Sequence, residues 1–298
     1  MTAAPPPPRI IDMRSRPRWL HEFFGGGAPG TPAFETVRWL NRRVGARDPD
    51  HFARTGNLTA FLAEMDEAGI ERAVVCARSV PGVRVANEDI SALVRAAPGR
   101  LIGVASVDPV ELGPAAALEA ARHAVTTLGL SALNLDCGFW AEPMHADDER
   151  LMPFYALCQE LRVPAFVMSG PTTPDLAYND PIAVDVVAGT FPTLPIVCCH
   201  GFWPRIDDML AVAFRHENVL VSPDMYLFAP GGGRYAEAAN GGFLARQLLF
   251  GSSYPFRPMA QGVAELRALG LAPEALALVL GDNAARLFRL DPGQETPQ

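Results

Sequence analysis

LPIVCCHGFW, residues 194–203, runs from a proline-containing start through an unbroken apolar stretch and stops at His-Gly. An unbroken apolar run of this length suits a parallel strand buried on both faces, whereas a half-exposed strand alternates. Seven further runs of the same kind recur: RIIDM (9–13), RAVVCA (72–77), LIGVASV (101–107), LSALNLD (130–136), PAFVMS (164–169), NVLVSPD (218–224) and QLLFGSS (247–253). Between them lie amphipathic stretches such as LTAFLAEMDEAG, PAAALEAARHAVTTL and RIDDMLAVAFRH, with apolar residues three and four apart. Eight strands alternating with helices predict an α/β fold, a (β/α)8 TIM barrel. A doubly wound sheet would want GxGxxG after the first strand, and MRSRPRW (13–19) stands there instead.

The 298 residues are 49% hydrophobic and 19% charged, enough apolar surface for one large core, so residues 9–290 read as a single domain. Residues 1–8 (MTAAPPPP) and 291–298 (DPGQETPQ) read as extended tails. A formal charge of −8 argues against a nucleic-acid partner. The start of the chain shows no apolar leader segment, and no run reaches membrane-spanning length, so no membrane partner is expected. Homo-oligomerisation stays open. The five cysteines form no CxxC, and most sit in or beside apolar runs, which predicts buried thiols in a reducing cytoplasm.

Two stretches exceed a simple barrel. Residues 18–57 insert after the first run and carry several aromatics and Gly25-Gly26-Gly27, read as a hinge. Residues 225–246 follow the seventh run. Both follow strand C-termini, where barrel active sites form, so they read either as a lid and pocket wall or as loop with an aromatic plug.

Chemistry-bearing residues cluster at the ends of the runs. Arg14 and Arg16 sit two apart just past the first, so their side chains point the same way. Buried cations need anions, which predicts either internal partners or a small anionic, carboxylated substrate gripped by the guanidinium forks. Asp136 and Asp224 end the fourth and seventh runs and read as an acid or base, or as those internal partners. His200 ends the sixth and suits proton transfer near neutral pH.

DDERLMPFYALCQELRVPAFVMSG, LPIVCCHGFWPRIDDM and LLFGSSYPFRP followed by GDNAARLF resemble the amidohydrolase superfamily, in particular its amidohydrolase-2 branch of hydrolases and decarboxylases; the likeness runs from Asp12 to about Leu290. The resemblance implies a divalent metal held by an HxH pair, two further histidines and an aspartate. Here the HxH positions are Arg14 and Arg16, the next histidine is Met168, and the aspartate is Ser253; His200 alone is kept. Guanidinium repels a dication, so no metal and no other cofactor are expected, although a site rebuilt from Cys76, Asp136, His200 and Asp224 is a conceivable alternative. In this frame His200, Asp136, Asp224 and Ser253 are the catalytic candidates. Ser253 reads as a nucleophile with His200 or as a hydroxyl that binds a ligand. Arg14, Arg16, Arg78, Tyr254 and Arg257 are the substrate-binding candidates.

The expected function is metal-independent hydrolysis of a lactone or similar activated carbonyl. The alternatives are a lyase or isomerase acting on a keto or aromatic acid, and a non-catalytic metabolite-binding barrel.

Overall fold

The computed structural model describes residues 8–290; apart from Pro8, the two expected tails lie outside them. Seven strands form one parallel sheet in chain order: β1 (Ile11–Ser15), β2 (Arg72–Cys76), β5 (Leu101–Ser106), β6 (Leu133–Leu135), β7 (Ala165–Val167), β8 (Ile196–Cys199) and β9 (Val219–Ser222). A separate antiparallel hairpin, β3 (Arg78–Val80) and β4 (Val83–Val85), follows β2. The hairpin escapes the reading of apolar runs because its strands are three residues long.

The eighth run joins the sheet without becoming a regular strand. Leu249 N donates to Val221 O at 2.9 Å on one side, and Met13 N donates to Phe250 O at 2.9 Å on the other. Further along, Arg16 N donates to Tyr254 O at 2.7 Å. Between these last two bonds a side chain takes over from the backbone ladder. The Asp12 carboxylate accepts from Ser252 N at 2.8 Å, Ser252 Oγ at 2.5 Å, Arg14 N at 3.0 Å and Ser15 Oγ at 2.7 Å. Closure of the barrel therefore rests on one buried carboxylate satisfying four donors.

Alternation along the strands fills the inside. Ile11, Val74, Val104, Phe166, Val197 and Leu249 belong to the inner cluster, while their neighbours in sequence pack outward against the helices. Ala284, Ala285 and Phe288, at the last helix Asn283–Leu287, pack against this inner cluster. In β1 the alternation breaks. Asp12 pairs with Ala73 and Ser15 with Val75, so three steps in β1 oppose two in β2. One extra residue shifts the phase. Ile11 and Met13 face inward below the shift, and Arg14 and Arg16 face the barrel mouth above it.

The 18–57 insertion is built around the helix Pro32–Arg43, capped by Thr31 Oγ1 accepting from Phe34 N at 3.4 Å. Phe24, Phe34 and Phe52 are buried beneath it, while Thr36, Trp39 and Leu40 face the mouth, so the segment is both plug and wall. The triple glycine is no hinge: a Cβ at Gly25 would come within 2.3 Å of the Phe52 ring, and one at Gly26 within 2.7 Å of Arg18 O. These glycines permit close packing, which Arg18 Nε locks by donating to Gly25 O at 2.6 Å. Among the described residues no helix is long and apolar enough to cross a membrane.

Burial pushes the Asp12 carboxyl up to about 6, against the pull of its hydrogen bonds from Ser252, Arg14 and Ser15. A raised folded-state value favours the native state below the unfolded value and loses that advantage as pH rises through about 6. Asp12→Ala should lower unfolding free energy by about 3 kcal/mol or more at pH 7, because buried donors lose their acceptor. The deficit should grow by roughly another 2 kcal/mol by pH 4, as the wild type alone gains from protonation. Urea titrations of the two proteins at both pH values would check this; a deficit that shrinks toward pH 4 would contradict the assignment.

Candidate active site

The C-terminal ends of the strands surround a cavity of about 410 Å³. Its polar end presents Arg14 from β1, Arg16 just after it, Arg78 from β3, Met168 after β7, His200 after β8, and Ser253 with Tyr254 from the eighth segment. Its walls are apolar: Phe23, Trp39, Val80, Phe139, Trp140 and Phe256. A small apolar chamber with a few convergent polar groups is the usual form of a ligand site, and this end of a barrel is its usual place.

The cations differ in how well they are matched. Arg78 Nη2 lies 3.4 Å from Asp136 Oδ1, and its guanidinium covers Phe139 at 4.8 Å. Asp136 is fixed in turn by Asn134 Nδ2 at 2.8 Å and Ser106 Oγ at 3.3 Å. Arg14 Nε lies 3.7 Å from Asp224, its Nη2 rests on the Met168 sulfur at 2.7 Å, and its Nη1 is buried without an acceptor. Arg16 is 4% exposed, packs over the Phe24 ring at 5.0 Å, and has no acceptor for either terminal nitrogen. Burial, then the charges of Arg14 and Arg78, push the Arg16 guanidinium down to about 9. It is therefore still a cation at neutral pH, in a place that disfavours one.

His200 and Asp224 form a pair. Asp224 Oδ2 accepts from His200 N at 3.2 Å and lies 2.9 Å from its Nδ1, at an angle too steep for a straight hydrogen bond; Ser222 Oγ donates to Oδ1 at 2.5 Å. Burial would raise the Asp224 carboxyl, but His200, Arg14 and Ser222 hold it below the ordinary carboxylate value. Burial drives the His200 imidazole down to about 4; Asp224 opposes this, while Arg14 and Arg16 reinforce it. His200 is thus a neutral imidazole at pH 7.

The backbone here is strained. His200, Asp224 and Ser253 all have positive φ, at 59°, 56° and 58°. Non-glycine residues in this region cost of order 1–3 kcal/mol each and gather where geometry matters more than stability. Gly251 makes room for the pair, since a Cβ there would lie 2.3 Å from Asp224 Oδ1.

Most residues anticipated from the sequence converge here, in different roles. Asp136 and Asp224 lie behind the arginines as internal partners and do not line the cavity. Ser253 faces the cavity, but its Oγ accepts from Met225 N at 3.4 Å, and among the described residues no hydrogen bond joins it to His200. Tyr254 lines the wall while its hydroxyl bonds Thr55. Arg257 stands apart from the first cavity, in a second chamber, where it bonds Val44 O and pairs with Glu265. Sequence reading missed the wall from Val80 to Val83, while the wall from Thr36 to Leu40 lies in the 18–57 insertion read as lid, pocket wall or plug. The Pro81-Gly82 dipeptide between two valines was the available hairpin signal, and Gly82 takes a φ of 77°.

The metal implied by the resemblance does not fit this donor set. Guanidinium groups and a thioether stand where imidazoles would be needed, and Cys76 is a thiol pushed up by burial. Asp136 is committed to Arg78, and among the described residues no three His, Cys, Asp or Glu side chains gather as metal ligands. The rebuilt site is therefore not formed.

No curated protein matches the sequence. An uncharacterized TIM-barrel protein from Bordetella bronchiseptica is similar with a TM-score of 0.84 at 33% identity, over 94% of this chain and 98% of that one. The 5-carboxyvanillate decarboxylase of Sphingomonas paucimobilis is similar at 0.63 and 20% identity, over 95% and 99%. The 4-oxalomesaconate hydratase of Rhodopseudomonas palustris is similar at 0.63 and 17%, over 94% and 95%. The model of the amidohydrolase family Amidohydro_2 matches residues 38–290, so the chain belongs to that family.

Proposed function

We propose that the protein is a metal-independent enzyme that holds a small carboxylated molecule by its carboxylate on Arg16 and hydrolyses a lactone or similarly activated carbonyl with His200 as base. The observation that carries this reading is the mismatch of charge at the mouth. Arg78 and Arg14 have Asp136 and Asp224, whereas both terminal nitrogens of Arg16 are buried, unpartnered and at the cavity. A carboxylate bound there would supply the missing acceptors bidentately.

The chemistry then follows from protonation states. A neutral His200 takes the proton of a water through its free ring nitrogen as the water oxygen bonds to the carbonyl carbon. Asp224 beside Nδ1 steadies the imidazolium that results. The carbonyl oxygen becomes an oxyanion, for which Arg14 Nη1 is a donor already desolvated and without an acceptor. As the tetrahedral centre collapses, the ring C–O bond breaks and the imidazolium returns its proton to the leaving oxygen.

A lyase is the second reading, favoured by the aromatic walls at Phe139 and Trp140 and by the fold shared with decarboxylases of aromatic acids. Decarboxylation needs a proton donor for the carbanion, and a histidine held near 4 is a poor one at neutral pH. On that ground we rank hydrolysis first.

Four outcomes are expected. Benzoate should raise the melting temperature of the wild type, and Arg16→Met should abolish the shift; an undiminished shift in the variant would remove Arg16 from the site. Once a screen of lactones, keto acids and aromatic acids yields turnover, His200→Asn should lower kcat by about 10²–10⁴ with little change in KM. Because the base works only when neutral and its value is lowered to about 4, activity should persist as pH falls past 6.5 and decline only near pH 4. NMR titration of the His200 ring would show the same midpoint; a midpoint near 6.5 would defeat the assignment. Chelators should leave both melting temperature and turnover unchanged, and stoichiometric metal in elemental analysis would overturn metal independence.

A further inference from the structure

Beside the first cavity lies a second chamber of about 800 Å³, separated from it by Trp39, Leu40, Thr172 and Met225, which line both. The largest residue that the two share, Trp39, is 52% exposed. The far wall is aromatic. Trp203 stacks on Tyr226 at 5.3 Å and 8°, and Tyr226 presents its ring edge-on to His200 at 5.3 Å. The chamber thus touches the proposed base through a single side chain.

The chamber also holds a polar group with unmet demand. Arg257 is 2% exposed and sits over the Phe228 ring at 4.6 Å. One terminal nitrogen bonds Val44 O and the other pairs with Glu265, which leaves Nε buried without an acceptor. A buried donor of this kind is costly unless a ligand or water satisfies it.

We infer that the second chamber is a distal subsite for the same substrate, and that it takes a planar, apolar group bearing one hydrogen-bond acceptor for Arg257. The inference rests on the reading of the first cavity as a carboxylate site. Together the two define the substrate class as an elongated, two-part acid: carboxylate on Arg16, reacting carbonyl near His200, and a flat group past Trp39 against Tyr226 and Phe228. Stacking on these rings supplies apolar contact, and the acceptor fixes orientation. Binding energy from the remote group is then available to hold the reacting carbonyl, so truncated acids should turn over more slowly as well as bind more weakly.

The test compares benzoate, 4-benzylbenzoate and 4-benzoylbenzoate by calorimetry. In the wild type the two-ring ketone should bind at least about tenfold more tightly than benzoate, and more tightly than the benzyl compound, which lacks the acceptor. Ala229→Trp, placed on the lining of the second chamber, should erase the gain and leave benzoate binding unchanged; Ala268→Trp serves if the first variant does not fold. Arg257→Met should erase only the difference between ketone and benzyl compound. Equal affinities in the wild type, or a gain that survives filling of the chamber, would overturn the subsite. Benzophenone, which has no carboxylate, separates the two readings. Arg257-dependent binding of benzophenone without any binding of benzoate would sustain the chamber and overturn the carboxylate site instead.

Discussion

Burial of three guanidinium groups against two carboxylates is the constraint that organises the top of this barrel. A lone cation out of water is expensive, so each arginine has been given whatever anion or ring the strand ends can reach. Asp136 is braced by Asn134 and Ser106 to face Arg78, and Asp224 is braced by Ser222 to face Arg14 and His200. Phe24 and Phe139 lend their faces to Arg16 and Arg78. Burial, reinforced by the same positive field, keeps His200 unprotonated at neutral pH. Charge balance and base strength are thus two results of one arrangement.

The barrel itself was legible because its strands are buried on both sides, so runs such as LIGVASV and LPIVCCH need no partner to be recognised. The positions of Arg14, Arg16, Asp136, His200 and Asp224 followed from strand ends, and that of Ser253 from the family resemblance. Their pairings did not. Nothing in the spacing of Asp136 and Asp224 says which arginine each will face, since the choice is made by strand neighbours more than fifty residues away in sequence. The Asp12 clamp was equally hidden, because an aspartate inside RIIDM carries no local sign that Ser252 will meet it. The 18–57 segment resisted reading for another reason: its aromatics serve both the plug and the cavity wall, so they follow no single helical period.

The proposed site also depends on positions that carry no reacting atom. Gly251, within the eighth run, leaves the space that Asp224 fills. Tyr226, in the segment after the seventh run, joins the proposed base to the second chamber. In both cases the functional demand is for the absence or the edge of a side chain rather than for a reactive atom. Such demands leave weak traces in composition and strong ones in geometry.

The extra residue in β1 makes chain length a determinant of chemistry. Regular alternation cannot send two consecutive side chains to one face, yet Met13 joins the inner cluster and Arg14 faces the mouth. Deleting either of them would restore an uninterrupted pairing with β2, with Asp12 still opposite Ala73 and Ser15 still opposite Val75. Arg16 would keep its facing, because the register beyond the shift is unchanged. One side chain would then serve where two do now, so the strand would lose either the apolar filling of Met13 or the cation of Arg14. Length in this segment is as much a part of the site's code as residue identity.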